Sequence, residues 1–332
     1  MTEILNFPIS SPVELVRRYG GPVSHAALDP SHSIFRAPGI DGLIGFLVVH
    51  RCAVVLGDPI CDPVHNIALA NAFSTYCSNN GWSIIYSTVT ATLHTYARER
   101  SYASIEFANL LMANPQHDPE IDHQGHHLRQ HLNHVRRAGV MVREYLGETT
   151  PDARLEAQVE VVCEEWLEAR QGIQMYLGRP RLFNDKPGRR WFIAERAGKV
   201  VGMLSMLRMN YLECHSLINI LFSSPAAPLY TNELMIISAL QALREEEIRL
   251  VCFGVGPLKT LGRIDGLNCT SQLLSRSIYR LVAKVMNLHD KTLFWEKYHL
   301  VRQDPLYLIF QSQHIGLGEI NALFRTFHFS VN

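Results

Sequence analysis

Two carboxylic acids in the sequence stand where they could take part in catalysis. Glu233 lies just inside the start of a predicted helix, directly after a polar loop, and Asp58 follows the first predicted strand. An acid at a helix start commonly interacts with the helix dipole. At the carboxyl edge of a sheet, an acid can instead hold an ammonium group or orient a nucleophile. Both interpretations stay open for Glu233, and a turn-capping role is the alternative for Asp58.

Basic residues in two parts of the chain are candidates for binding a phosphate, because guanidinium groups match phosphate oxygens in geometry. They are Arg129, Arg136, Arg137, Lys259 and Arg263. The alternative is that they form solvated surface, in particular one face of a helix.

Histidines are concentrated in a single stretch of the chain. They are His117, His123, His126, His127, His131 and His134. The pairs His123/His127 and His127/His131 have the spacing of two metal ligands on a helix. No cysteine joins them at ligand spacing, so we favour a polar helix face beside phosphate-binding arginines and predict no metal site.

The segment 253–259 leaves a buried strand through Gly254, Gly256 and Pro257. Glycines in a strand often mark a close approach of the backbone to a ligand. A tight strand exit without a ligand is the alternative.

Several common enzyme motifs are absent from the sequence. There is no G-x-x-x-x-G-K-[ST], G-x-G-x-x-G, G-x-S-x-G or H-E-x-x-H, which argues against nucleotide hydrolysis, dinucleotide redox chemistry, serine hydrolysis and zinc proteolysis. A Gly-rich pyrophosphate loop for coenzyme A is also missing. Its expected position, residues 223–231, contains two prolines, which lack the N–H donors that a phosphate needs.

Alternating strand and helix patterns must position these residues. The apolar run 43–55 predicts a strand, and residues 65–79, 82–87, 90–100 and 103–112 predict a helix, a strand, a helix and a strand,. In the second half, residues 191–209 predict a hairpin turning at Gly198, followed by strand 215–222, helix 232–247, strand 250–254, helix 271–285 and strand 306–311. This order is typical of an α/β protein.

Two helices lie between these series. The spacing of Leu128, Leu132 and Val135 predicts an amphipathic helix with a basic face, ended by Gly139,. Thr150 is the predicted capping residue of the next helix, with Pro151 and Asp152 in its first turn,.

A faint repeat connects the two halves: segments 42–47 and 198–204 both place a turn glycine before an apolar strand. Two copies of one α/β unit would explain this repeat.

Composition limits where the protein works. The chain has 332 residues, 47% of them hydrophobic, with Lys+Arg 31 against Asp+Glu 31. No run approaches the roughly 18 apolar residues of a spanning helix, and the seven cysteines include no C-x-x-C pair. We expect a soluble cytoplasmic protein that reaches a membrane only peripherally, from its cytoplasmic face.

Short motifs from about residue 30 to residue 312 resemble, in order, one known family. They lie at residues 55–59, 125–139, 165–167, 231–235, 254–258, 294–300 and 305–308. The chain is similar to the C-terminal catalytic domain of phosphatidylglycerol lysyl- and alanyltransferases and to related stand-alone bacterial and fungal enzymes that aminoacylate lipids, including sterols.

The resemblance implies an α/β fold of two tandem acetyltransferase-like (GNAT) units, with mixed sheets flanked by helices. We expect residues 1–140 to form the first unit and residues 141–332 to form the second, which carries most of the catalytic site. The implied reaction moves an amino acid from aminoacyl-tRNA onto a lipid hydroxyl, such as that of phosphatidylglycerol or a sterol. It needs no cofactor: aminoacyl-tRNA is the co-substrate, and the lipid acceptor lies at the membrane surface.

The resemblance also assigns roles. Glu233, which stands where the family motif has Asp, would hold the α-ammonium group or assist deprotonation, and Asp58 would line the tunnel in which the substrates meet. Arg136, Arg137 and Lys259 would hold phosphate of the tRNA or the lipid. Thr231 and Gly256 lie within matching motifs and are expected to contact substrate.

Two other functions stay open. One is an acyl-CoA-dependent N-acyltransferase of the same fold, against which the missing pyrophosphate loop argues. The other is a non-catalytic module that binds lipid or tRNA.

Overall fold

In the computed structural model, residues 10–121, 125–169, 173–174, 182–208, 216–327 and 330–331 are described. The helices in these residues are α1 Pro12–Tyr19, α2 Asn66–Asn79, α3 Ala91–Glu99, α4 His126–Arg137, α5 Ala153–Ala169, α6 Thr231–Glu245, α7 Cys269–Val285, α8 Leu288–Glu296 and α9 Leu317–Thr326. Short 3-10 helices cover Ser24–Leu28 and Pro63–His65. Among the described residues, no helix combines the length and the apolar character needed to cross a bilayer.

The strands are β1 Ser33–Phe35, β2 Gly42–Val49, β3 Cys52–Leu56, β4 Ile60–Cys61, β5 Ser83–Val89, β6 Ala103–Ala113, β7 Val140–Tyr145, β8 Ile173–Gln174, β9 Arg189–Arg196, β10 Lys199–Leu207, β11 Ser216–Ser223, β12 Val251–Pro257, β13 Ile264–Asp265, β14 Leu300–Phe310 and β15 Ser330–Val331. All except β8 and β15, which pair with each other, belong to one 13-stranded mixed sheet. Its order is β1-β2-β3-β5-β14-β6-β12-β11-β10-β9-β7, with β4 paired to β2 and β13 to β6.

One strand arrangement occurs twice in this sheet. β2 pairs antiparallel with β3, which pairs parallel with β5. In the same way, β10 pairs antiparallel with β11, which pairs parallel with β12. A helix connects the parallel strands in each copy, α2 in the first and α6 in the second. The fold is therefore two tandem acetyltransferase-like units, as predicted, and the glycine repeat in the sequence marks the equivalent strands β2 and β10.

The two copies interlock within the sheet. β14, which comes from the end of the chain, lies between β5 and β6, and β6 pairs with β12 on its other side. Helix α4 packs on α6 and on β7. The division of the chain at residue 140 stays a prediction.

Each unit has a separate apolar core. In the first unit, Leu69 and Phe73 of α2 pack against Ile84 and Tyr86 of β5. In the core formed around α6, the predicted apolar face of α4 (Leu128, Leu132 and Val135) is fully buried. Burial of a large apolar side chain stabilises the fold by about 1.5–3 kcal/mol, so this face fixes the rotation of α4 and directs its other faces toward the site described below.

The prediction of one strand over residues 43–55 was wrong. The run folds into the β2–β3 hairpin, in which Val49 pairs with Cys52 across a turn made by His50 and Arg51. These two residues adopt φ angles of 49° and 63°, the left-handed conformation that a two-residue hairpin turn requires. Because neither is Gly, Asn or Asp, the sequence carries no turn signal here.

The predicted cap of α5 was also displaced by two residues. Asp152 Oδ1 accepts hydrogen bonds from the backbone N–H groups of Arg154 and Leu155, both at 3.0 Å. The Thr150 hydroxyl instead donates to the carbonyl of Leu146 at 3.1 Å. Asp152 is therefore the residue that caps this helix.

Candidate active site

The start of α6 is held in an unusual conformation by its own loop. Tyr230, the residue before the helix, has φ 71°, which is rare for a bulky side chain and costs of order 1–3 kcal/mol. The Thr231 hydroxyl donates to the carbonyl of Pro228 at 2.6 Å, which ties the loop to the helix. In this conformation the Tyr230 ring stacks on His131 of α4, with ring centroids 3.6 Å apart and an interplanar angle of 4°.

Glu233 lies in the first turn of α6 and forms an ion pair with Lys297. Its Oε1 accepts a hydrogen bond from Lys297 Nζ at 3.0 Å. The Glu233 side chain is only 8% exposed, against 31% for Lys297. No hydrogen bond from the described residues reaches Oε2 of Glu233, so one carboxylate oxygen is available to a further donor.

His131 completes the contacts of this ion pair. Its Nδ1 lies 4.0 Å from Glu233 Oε1 and is a buried atom without a hydrogen-bond partner. Burial and, next, the charge of Lys297 lower the pKa of His131, while Glu233 acts in the opposite direction. The imidazole is therefore neutral at neutral pH and can accept a proton.

Two further polar atoms are buried without partners, one on a residue whose pKa is affected by Glu233 and one on the residue before Glu233 in α6. They are the hydroxyl of Tyr298, a residue that is itself fully buried, and Oδ1 of Asn232. Burial raises the pKa of Tyr298 well above its usual range, and the charge of Glu233 adds to this, so the phenol stays protonated. Buried polar groups are nearly always hydrogen-bonded in native proteins. A cluster of unpaired ones beside an ion pair indicates a place where a polar ligand binds.

Lys259 is connected to the last residue of α8 by an ion pair. Its Nζ is 3.6 Å from Glu296 Oε1, the residue before Lys297. The strand exit from β12 is also fixed to the neighbouring helices: Thr292 donates to the carbonyl of Pro257 at 3.2 Å, and Tyr279 donates to that of Leu258 at 2.6 Å. The structure therefore places Thr231 and Glu233 together in the first turn of α6 and Lys259 beside the end of α8.

Gly256 is required by packing in the sheet. A Cβ atom added there would lie 2.4 Å from Leu111 Cδ1 on the neighbouring strand β6. The kink in this strand is made by Gly254, which has φ 87° at a shift of register in the β12–β6 pairing. The close neighbour of Gly256 is therefore a core side chain, and its role in substrate binding stays a prediction.

Arg136 and Arg137 lie in the last turn of α4, and both are exposed. Arg136 Nη1 is 3.4 Å from Glu120 Oε2, and Arg129 donates to the backbone carbonyl of Glu120. Arg263 forms an exposed ion pair with Asp265 at 2.8 Å. Because α4 carries His131 as well, its arginines extend from the candidate site along one helix.

Asp58 lies in the other unit. It accepts hydrogen bonds from the backbone N–H of Thr90 at 3.1 Å and from the Thr90 hydroxyl at 2.6 Å, just before α3. Burial raises its pKa, and the bonds from Thr90 oppose this. Asp58 follows β3, whereas Glu233 follows β11, and these are equivalent strands of the two copies. The two acids therefore lie in different units and at different points after these strands, Asp58 just after β3 and Glu233 within the first turn of α6. Among the described residues, Asp58 has no contact with the Glu233 cluster.

Among the described histidines of this stretch, His131 makes the most contacts with the residues around Glu233. His134 approaches Tyr230 edge-on, with centroids 5.9 Å apart, whereas His131 contacts both Tyr230 and Glu233. His123 lies outside the described residues. Within the described part of the chain, no group of three His, Cys, Asp or Glu side chains could hold a metal ion.

The most informative residues missed by the sequence analysis are Lys297, Tyr298 and Tyr230. Lys297 and Tyr298 belong to the matching motif at residues 294–300. This motif is the sequence feature that could have pointed to them. Their link to Glu233 spans 64 positions along the chain, and only the folded structure joins them.

The fold defines the class of protein: a chain of two tandem acetyltransferase-like units. The sequence matches the family described as phosphatidylglycerol lysyltransferase, C-terminal, over residues 13–310. The chain belongs to this family, as the motif resemblance predicted. No curated protein shows significant similarity to it.

Solved structures show the same fold at low sequence identity. L-PGS from Bacillus licheniformis superposes with a TM-score of 0.77 and 17% identity, covering 95% of this chain and 94% of that one. The C-terminal domain assigned to a lysylphosphatidylglycerol synthetase of Agrobacterium fabrum gives 0.74 and 16%, covering 96% and 95%. A conserved Bacteroides thetaiotaomicron protein of unknown function gives 0.60 and 12%, covering 93% and 99%.

Proposed function

We propose that this protein transfers an amino acid from aminoacyl-tRNA to a hydroxyl group of a membrane lipid, such as phosphatidylglycerol or a sterol. Family membership supports a lipid aminoacyltransferase. The observation that carries the proposal is the group of unpaired buried polar atoms around the Glu233–Lys297 pair. Such a group fits a ligand that presents an ammonium, a carbonyl and a hydroxyl close together.

The aminoacyl ester of tRNA is already activated, so the protein must mainly position the reactants and stabilise charge. The lipid hydroxyl oxygen attacks the carbonyl carbon, a new ester bond forms, and the bond to the ribose oxygen breaks. The proton of the lipid hydroxyl passes to the departing ribose oxygen. Neutral His131 is suited to carry this proton, since its lowered pKa keeps it unprotonated at neutral pH.

The second requirement is to stabilise the negative charge that develops in the transition state. The carbonyl oxygen becomes negative during attack and needs donors that are already in place. Lys297 Nζ and the unpaired hydroxyl of Tyr298 are the donors in this region. Oε2 of Glu233 is free to accept the α-ammonium group of the amino acid, because Lys297 contacts only Oε1.

Binding of the tRNA is assigned to α4. Its exposed Arg136 and Arg137 follow His131 on the same helix, so a phosphate backbone held by them would place the aminoacyl end near Glu233. Contacts of this kind release counterions and weaken as salt rises. The missing pyrophosphate loop supports tRNA, rather than coenzyme A, as the carrier of the acyl group.

The test is a reconstituted assay with purified protein, lipid vesicles and radiolabelled aminoacyl-tRNAs, read by lipid extraction and mass spectrometry. A new aminoacylated lipid should form, and RNase treatment should abolish it. Product that persists without tRNA and returns with acyl-CoA would establish the N-acyltransferase alternative. Binding of lipid or tRNA without turnover would indicate a non-catalytic module.

Glu233→Gln tests the assigned site within this assay. Loss of the charge-assisted contact to the ammonium should lower turnover by on the order of a hundredfold or more. Thermal stability should stay near wild type, because the amide oxygen can still accept from Lys297. Glu245→Gln, an exposed acid on the last turn of the same helix, is the matched control. Equal turnover in both variants would remove Glu233 from the site.

A further inference from the structure

Helix α7 presents apolar side chains to solvent along its whole length. Leu273 is 67% exposed, Leu281 is 63% exposed and Val285 is 46% exposed. With Ser277, these residues follow one another at intervals of four and therefore form one row on the helix surface. An ordered row of this kind differs from the single exposed apolar residues that are normal on protein surfaces.

A basic row runs directly beside the apolar one. Arg276, Arg280 and Lys284 are also spaced at intervals of four, one position before the members of the apolar row. The 17-residue helix contains no acidic residue, although the whole chain has equal numbers of acidic and basic residues. The positive charge of this face is therefore not compensated within the helix.

The opposite face of α7 is firmly attached to the protein. The Tyr279 hydroxyl donates to the carbonyls of Phe107 and Leu258, at 3.1 and 2.6 Å. Ser271 at the start of the helix and Met286 just after it are both buried. The outward direction of the apolar row is thus fixed by contacts on the inner face.

We infer that this face, defined by Leu273, Arg276, Arg280, Leu281, Lys284 and Val285, docks on a membrane surface containing anionic lipid. Helices with an apolar row bordered by basic residues lie in the interfacial plane of a bilayer, with leucines at the acyl boundary and basic groups at the phosphates. A second copy of this chain is a poor occupant. A symmetric contact would bring two uncompensated basic rows together without any acidic partner.

The position of α7 connects this surface to the candidate site. After Met286 and Asn287 the chain enters α8, which ends at Glu296, and the next residue is Lys297, which pairs with Glu233. Docking of α7 would hold the element that carries Lys297 at the lipid surface, where the acceptor hydroxyl lies. The connection between α7 and the acceptor hydroxyl rests on the proposed function. Binding of α7 to a membrane can nevertheless be measured without any transfer reaction.

The test is co-sedimentation of the full chain with vesicles of phosphatidylcholine alone or with added phosphatidylglycerol. We expect binding to the anionic vesicles, weaker binding to the neutral ones, and release at high salt. The double variant Leu273→Gln/Leu281→Gln should lose binding to both kinds of vesicle. Its matched control is Val161→Gln/Leu317→Gln, two exposed apolar residues on α5 and α9, which should bind as wild type does.

The contribution of positive charge to vesicle binding is tested with the double variant Arg280→Gln/Lys284→Gln. Neutralising two groups near an anionic surface should weaken binding to phosphatidylglycerol vesicles by about tenfold or more, with little change on neutral vesicles. Equal binding of wild type and both α7 double variants would overturn the inference. So would a dimer in sedimentation experiments that dissociates in the leucine double variant.

The inference and the proposed function fail differently. Transfer from aminoacyl-tRNA to detergent-dispersed lipid by a protein that does not bind vesicles would overturn the docking surface alone. Vesicle binding that depends on α7, without any transfer, would support the docking surface and reject the proposed reaction.

Discussion

Glu233 has one carboxylate oxygen bonded to Lys297 and another that accepts no hydrogen bond from the described residues. Read from the sequence, this acid was either a helix cap or an ammonium ligand. In the structure Glu233 lies in the first turn of α6, where it can interact with the helix dipole, and it also accepts a hydrogen bond from a lysine far along the chain. A carboxylate that already neutralises one ammonium can still bind a second through its other oxygen, since each ionised oxygen accepts more than one hydrogen bond.

The neighbours of His131 predict two opposite pKa changes. Lys297 lowers the pKa of this imidazole and Glu233 raises it. Lys297→Met should therefore raise the pKa of His131 toward its usual value, and Glu233→Gln should lower it further. NMR titration of the His131 ring protons in wild type and both variants measures the two shifts. Shifts of the same sign in the two variants would contradict the arrangement of charges described here.

At the scale of elements, the helices and strands whose ends carry recognisable turn or capping residues were predicted from the sequence. Helices α2, α3 and α4 and strands β5 and β6 begin and end within a few residues of their predicted positions. The β2–β3 hairpin was missed because His50 and Arg51 turn the chain without a turn residue. Strand β14 was predicted only from residue 306, since Pro305 normally marks a strand boundary, yet Pro305 lies opposite Asn109 in the sheet.

The candidate site was predicted only in part, for a related reason. Glu233 stands out locally because it follows a polar loop at a helix start. Lys297, His131 and Tyr298 have no local feature that connects them to it; the contacts depend on α4, α6 and α8 packing together. Periodicity predicts which face of α4 is buried, but not which residue of another helix it meets.

A prediction about the cap of α5 distinguishes the capping residue expected from the sequence, Thr150, from the one found in the structure, Asp152. Asp152→Ala should reduce the free energy of unfolding by about 1 kcal/mol, because it leaves two backbone N–H groups without an acceptor. Thr150→Ala should have a smaller effect, since its hydroxyl only donates to Leu146. Chemical denaturation of both variants measures the difference. A larger loss for Thr150→Ala would restore the cap predicted from the sequence.

At the scale of the whole molecule, the two units are held together at more than one place. Strand β14 inserts between strands of the first unit, and a buried polar cluster ties the start of the chain to β9. In that cluster Arg17 forms an ion pair with Asp185, and the buried Arg189 lies close enough to His25 for its charge to lower the pKa of that imidazole, after the larger effect of burial. Residues on both sides of the predicted division therefore share one electrostatic environment.

This cluster predicts how the protein responds to acid. Burial and, next, the charge of Arg189 lower the pKa of His25 from 6.5 to about 4. Between these pH values the unfolded chain binds a proton at His25 that the folded protein does not, so the free energy of unfolding falls as pH falls. The loss from this residue begins near pH 6.5, is complete near pH 4, and amounts to roughly 3 kcal/mol.

His25→Asn removes this titration and should flatten the pH dependence of stability across that window, even if the variant is less stable at pH 7. Urea denaturation at a series of pH values measures the slope directly. His65→Asn, at an exposed histidine in the short helix before α2, is the matched control and should keep the wild-type slope. If His25→Asn lost as much stability on acidification as wild type, His25 would not be the group that makes the junction between the units acid-sensitive. The acid response would then have to be assigned to another titrating group.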